Sequence, residues 1–189
     1  MRVITLNIKD FKQTCLELVA KIDFYPDIII GVQNGGAFVL NEFKDVKKFD
    51  CAHFEMVKIQ RKDNFKNNFF AKILLKYMPL KIADYLRVYE HNQIKDSLKN
   101  LTKEQLLNRE ISCSISVSKP PKKILLVDDA IDTGTTMFIV KNNMVRIFDD
   151  CEIKTAVISW TIEESIIKPD FYIFKDVLVR FPWSKDFKE

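Results

Sequence analysis

Apolar residues recur along this chain with two different periods, and the alternation between them outlines an architecture. Phe11, Cys15, Leu18, Val19 and Ile22 fall at i, i+4, i+7, i+8 and i+11, one face of a helix over residues 10–22 that Pro26 ends. Residues 27–32 (Asp-Ile-Ile-Ile-Gly-Val) form the near-continuous apolar run of a parallel strand covered on both faces. Gln33, Asn34, Gly35 and Gly36 predict a turn after it, and residues 37–43 the opening of a second helix. Residues 50–58 predict another strand. Residues 79–110 are charged, lack glycine and read as helical: Pro79 suits a first helical position, and Thr102 with Gln105 makes a capping-box pattern ahead of Leu106 and Leu107. Period-2 alternation follows over residues 111–117, and Pro120-Pro121 interrupts the chain. A short apolar strand at 124–127 leads to a helix at 136–148, with Met137, Val140, Met144 and Ile147 on its inner face, and then to a strand at 155–160.

Strands separated by helical segments predict an α/β fold, a doubly wound and mostly parallel sheet with helices on both faces. Residues 69–110 interrupt that alternation and read as a helical insertion.

Composition narrows the class. The 189 residues suit one domain, 47% hydrophobic content can fill a core, and 30% charged residues mark a folded soluble chain. A net charge of +4 calls for neither nucleic acid nor an anionic membrane as partner, and a small anionic ligand at a local basic patch fits it as well. Such a patch exists: between 58 and 76, Lys58, Arg61, Lys62, Lys66, Lys72 and Lys76 face the single acid Asp63. The first seven residues lack the apolar run of a signal peptide, and no apolar stretch is long enough to span a bilayer. Cys15, Cys51, Cys113 and Cys151 are widely spaced with no CxxC pair, and the only histidines are His53 and His91. Together these predict a cytoplasmic protein with reduced thiols, and they exclude a histidine-rich metal site.

The densest chemistry lies where the 124–127 strand meets the helix from Thr136. Ligands of open α/β sheets bind at the carboxyl ends of strands. Here Asp128, Asp129, Ala130, Ile131, Asp132, Thr133, Gly134, Thr135 and Thr136 follow one another. Gly134 permits a tight turn, and the amides of 133–136 at a helix start can converge on a phosphate whose charge the macrodipole favours. Thr133, Thr135 and Thr136 add hydroxyl donors. The lysine and glycine spacing of a Walker A loop are missing, which points to a monophosphate. Asp128 and Asp129 would repel a phosphate; they suit vicinal hydroxyls, or a divalent cation held through water. A phosphate beside a diol describes a ribose 5-phosphate.

Residues 127–136 resemble the motif of type I phosphoribosyltransferases that binds 5-phosphoribosyl-1-pyrophosphate (PRPP). Other segments are similar too: 27–36 to the family's pyrophosphate loop (Gln33, Asn34, Gly35, Gly36), and Phe181-Pro182-Trp183 to the C-terminus of xanthine-guanine and hypoxanthine enzymes. The resemblance implies the type I fold with a small C-terminal hood, residues 165–189, on a single domain of residues 1–189. It implies roles by position: Asp128 and Asp129 on the ribose hydroxyls, 132–136 around the 5-phosphate, and Asp132 as general base. Lys58, Arg61 and Lys62 would belong to a catalytic lid, and a non-proline cis peptide would fall near Gln33 and Asn34. Many relatives carry Arg or Lys where Asn34 stands. The base-stacking aromatic falls at Leu178, and Trp160-Thr161 stands where a purine-reading lysine is usual, leaving Trp160, Lys168 and Leu178 as base-binding candidates.

The implied function is Mg2+-dependent transfer of 5-phosphoribosyl from PRPP to a nitrogenous base, a 6-oxopurine by resemblance, with release of pyrophosphate and a homodimer as the working form. The alternatives are a PRPP- or nucleotide-binding regulator of the same fold and a transferase with a non-purine acceptor. The insertion at 69–110 would cover the site, form a dimer contact or bind a partner.

Overall fold

A computed structural model describes residues 1–59, 78–98, 101–107, 111, 112, 115 and 119–188. In chain order the elements are β1 (Arg2–Thr5), α1 (Ile8–Lys21), β2 (Ile28–Val32), α2 (Gln33–Lys44), β3 (His53–Ile59), α3 (Leu80–Ser97), α4 (Glu104–Leu107), β4 (Ile111–Ser112), β5 (Lys123–Ile131), α5 (Thr135–Ile147), β6 (Glu152–Trp160), β7 (Phe171–Lys175) and β8 (Val177–Arg180).

Six strands form one sheet in the order β4-β3-β2-β5-β6-β7, parallel except where β4 meets β3. Alternation along each strand sends side chains into two cores. Ile29, Leu125, Val127, Ala156 and Ile158 meet α1 and α2 on one face. Ile28, Ile30, Ile124, Leu126 and Val157 meet Met137, Val140 and Met144 of α5 on the other. This is the doubly wound arrangement the sequence pattern predicts. From β2 the chain moves outward to β3; from β5 it moves the other way to β6 and β7. The topological switch point therefore lies between β2 and β5, at whose carboxyl ends open-sheet proteins bind ligands.

Several boundaries differ from the sequence pattern for identifiable reasons. The Asn7 side chain accepts the Asp10 amide at 2.9 Å, an N-cap that starts α1 at Ile8, two residues before the expected start. Gln33–Gly36 are not a turn but the first turn of α2. β5 does not stop at Val127: Asp128 pairs with Val157, Ala130 with Ser159 and Ile131 with Trp160, because β6 continues beside it. Ile147, expected inside, is 50% exposed, and Phe148 is buried in its place. Of the strand expected at 111–117, only 111 and 112 are described as strand.

The segment expected to form a hood divides. Residues 171–175 are the edge strand β7 of the main sheet, whereas β8 pairs in parallel with the N-terminal β1, Val3 opposite Leu178 and Thr5 opposite Arg180. Within the 69–110 insertion, α4 buries Leu106 and packs on α5, while α3 docks largely through charge. Arg180, 2% exposed, donates to Asp186 at 2.9 Å, to Thr5 at 2.8 Å and to Asp84 of α3. Arg87 of α3 reaches the same Asp186 and the Val179 carbonyl. Burial alone would raise the Asp186 carboxyl, but Arg180 and Arg87 hold it below the usual carboxylate value. That stabilisation is complete above the unfolded value of about 4 and is lost as pH falls through the lower folded value.

Two stability predictions follow from this packing. Asp186→Ala leaves Arg180 buried with one carboxylate fewer and should cost about 3 kcal/mol, read as a lowered denaturation midpoint in urea at pH 7. At Gly36 an added Cβ would lie 2.5 Å from the Val127 carbonyl oxygen, a backbone atom. Gly36→Ala should therefore lose about 1–3 kcal/mol in the same titration, and a neutral result would contradict the α2–β5 contact.

Candidate active site

At the switch point the first turn of α2 lies against the end of β5. Gly36 packs on the Val127 carbonyl beside Asp128, whose charged form its amide favours. Asp128 Oδ1 also accepts the Asp129 amide at 2.9 Å, and Asp129 Oδ1 accepts the Ala130 amide at 2.9 Å. A Cβ on Gly35 would sit 2.3 Å from the Asp129 carboxyl carbon, so a residue without a side chain is required there. Burial raises both carboxyls above the ordinary range, Asp128 further because the Asp129 charge faces it. The start of α2 at Gln33 places its positive dipole end beside the two carboxylates, with no side chain capping it.

Beyond Ile131 the chain turns. Thr161 donates its hydroxyl to Asp132 Oδ1, and the Thr161 amide donates to the Ile131 carbonyl at 2.9 Å. Gly134 has φ of 77°, the left-handed region that favours glycine, with Ile167 packed against it. It is the N-cap of α5, and Thr133 Oγ1 accepts the Thr135 amide at 3.2 Å and donates to the Thr135 hydroxyl oxygen at 2.9 Å. The thirteen-residue α5 directs its N-terminal amides and positive dipole end into the same space.

That space is a cavity of about 410 Å³, bounded by residues 128–137, by Asn34 and Gly35 of α2, and by Ile94 and Ser97 of α3. The structure so brings together the whole acidic and threonine-rich segment and half of the expected pyrophosphate loop. Gly36 packs on Val127 and does not line the cavity, and nothing is described of the Gln33 side chain. The peptide bonds of the described residues are all trans, including Gln33–Asn34, where the resemblance implied a cis bond.

The expected base-binding residues are not gathered there. Leu178 is buried on β8. Trp160 lies in the core at the end of β6, its indole N–H donated to Ser165 at 2.9 Å and its ring edge-on to Tyr172. Lys168 is exposed, and none of the three borders the cavity. Of the expected lid, Lys58 is exposed on β3 outside the cavity lining, and Arg61 and Lys62 lie outside the described residues.

Three contributors were not marked as site residues by the sequence. Ile94 and Ser97 belong to a segment read only as an insertion. Trp183, noted only within Phe-Pro-Trp, donates its indole N–H to Asp129 Oδ2 at 3.2 Å. Its position in the Phe-Pro-Trp sequence was the available signal.

Among the described residues no cluster of three or more His, Cys, Asp or Glu is placed to hold a metal ion. Asp128 accepts one backbone amide through Oδ1, and Asp129 accepts one donor on each oxygen. No described helix is long and apolar enough to cross a membrane.

The comparisons agree with this geometry. The family model described as "Phosphoribosyl transferase domain" matches residues 5–183. No curated protein matches the sequence. Among solved structures the chain is similar to the purine phosphoribosyltransferase of Pyrococcus horikoshii Ot3, at 19% identity over 100% of this chain and 97% of that one, with a TM-score of 0.61. It is similar to the xanthine-guanine-hypoxanthine phosphoribosyltransferase of Helicobacter pylori at 16% identity, 96% and 94% coverage and a TM-score of 0.62. A hypothetical protein of Neisseria gonorrhoeae, solved with bound ppGpp, shares the fold at 18% identity, 96% and 89% coverage and a TM-score of 0.55. A cavity built at the switch point from the acidic and threonine-rich segment, on a chain matched by the family model for nearly its whole length, makes this protein a type I member of the phosphoribosyl transferase family.

Proposed function

We propose that the protein transfers 5-phosphoribosyl from PRPP to a ring nitrogen of a 6-oxopurine, releasing pyrophosphate. The observation that carries this reading is the single cavity in which a helix N-terminus, two acids and a further carboxylate converge. The start of α5, with Thr133, Thr135 and Thr136, suits the 5-phosphate: amides and hydroxyls donate, and the dipole is positive there. Asp128 and Asp129 suit the ribose hydroxyls as acceptors. Bond breaking at C1 of the ribose places positive charge on the sugar and negative charge on the departing pyrophosphate, so the protein's part is positioning and charge stabilisation. Asn34 and Gly35, at the positive end of α2, line the side on which pyrophosphate would leave.

Asp132 fits the task of general base. It is exposed in the cavity, and its Oδ1 is fixed by the Thr161 hydroxyl, which leaves Oδ2 to take the proton that the purine nitrogen loses as the glycosidic bond forms. Mg2+ belongs to this proposal as the companion of PRPP, whose oxygens are hard ligands. A non-catalytic regulator that binds PRPP or a nucleotide is the second reading. It is favoured by Asn34 in place of a basic residue and by the absence of Trp160, Lys168 and Leu178 from the cavity wall.

Incubation with PRPP, Mg2+ and guanine, xanthine or hypoxanthine in turn should release pyrophosphate with at least one base. PRPP binding by calorimetry with no release from any of them would leave the regulator. For Asp132→Asn, turnover should fall about 100- to 10,000-fold while PRPP affinity stays within about threefold. A parallel loss of both would remove Asp132 from the proton transfer.

A further inference from the structure

We propose that Trp183 is a positioning residue for the Asp129 carboxylate and, through it, for the ribose hydroxyls of PRPP; this rests on the phosphoribosyl transfer proposed above. The indole is held by aromatic contacts from three directions. Phe38 of α2 stacks on it at 4.0 Å between centroids and 8° between planes. Phe181 stacks on it at 4.9 Å and 5°. Phe11 of α1 meets it edge-on at 5.0 Å and 88°. Stacks of this kind fix the plane of a ring and hence the direction of its only donor. That donor meets Asp129 Oδ2 at 3.2 Å.

Trp183 is half-buried beside an open cleft formed with Ile8, Phe38 and Pro182, while its N–H is turned to Asp129. Asp129 is half-buried next to a second acid, and its other oxygen accepts the amide of the following residue. An indole N–H is a donor that cannot become an acceptor, so it favours the ionised carboxylate and one orientation of it. With Oδ2 and Oδ1 each held by one donor, lone pairs remain on both for the two hydroxyls of a ribose. Phe38 lies on the helix whose Gly35 abuts the same carboxylate, so one contact chain joins the C-terminal Trp183, the first turn of α2 and the second acid of the motif.

Calorimetric titration of PRPP with Mg2+ into the wild-type protein, Trp183→Phe, Asp129→Asn and the double variant tests this. Phenylalanine keeps the ring stack and removes the donor. Trp183→Phe should weaken PRPP binding about tenfold, the scale of one hydrogen bond to a charged group, with a thermal midpoint close to wild type. The double variant should bind no more weakly than Asp129→Asn alone, whereas a merely structural Trp183 would give losses that add. Wild-type affinity in Trp183→Phe, or additive losses, would overturn the assignment while leaving PRPP binding intact. Failure of the wild-type protein to bind PRPP would overturn the functional reading and this assignment with it. Should Trp183→Phe not fold, tryptophan emission of the protein gives a second readout: saturating PRPP should shift it, and an unchanged spectrum overturns the proposal.

Discussion

The closeness of the first turn of α2 to the end of β5 is the constraint on which the site depends. Two adjacent carboxylates meet there, Asp128 buried and Asp129 half-buried, an arrangement that is costly unless donors meet it. Gly36 permits the close approach because it has no side chain: with a Cβ, the helix would be pushed off the Val127 carbonyl. Gly35 lets the helix pass over Asp129 in the same way. The positive end of α2 favours the negative charge beside it.

The two acids have a double character. They lie beside the start of α2 and, in the proposed reaction, are acceptors for the sugar. A carboxylate has about four lone-pair directions, and the structure uses only some of them at each residue. A diol can take the remaining ones. The indole of Trp183 and the amides along 129 and 130 constrain which directions are left.

Much of this fold is legible in the residues. The Ile-Ile-Ile run of β2, the inward face of α1 and the Asp-Asp to Thr-Thr segment each carry a local pattern with one good physical solution. The parts that escaped depend on partners distant in sequence. Asp128 and Asp129 look like the end of a strand because they are polar, yet β6 pairs alongside and the ladder runs on to Ile131. Gly35 and Gly36 look like a turn because glycine weakens helices, yet here they let the helix pack against Val127 and Asp129, more than ninety residues away. Ile147 fits the apolar period of α5, but the helix ends there and Phe148 takes the buried position. Trp160 has the chemistry to stack on a base; its N–H and ring are already taken by Ser165 and Tyr172.

The insertion follows a different rule from the rest of the chain. Its charged composition reads as a solvated helix, and in α3 only Ala83 and His91 are buried. Asp84 and Arg87 instead join the cluster around Arg180 and Asp186, where each buried charge has an opposite partner. Ion pairs of this kind fix geometry more than they add net stability, because desolvation offsets much of the attraction. Geometry is what this position demands: the C-terminal half of α3 brings Ile94 and Ser97 to the wall of the cavity that residues 128–137 also line. In the proposed reading the motif segment supplies the groups common to any ribose 5-phosphate site, while the wall particular to this chain comes from a helix anchored by charge to β8, the strand that pairs with its own N-terminus.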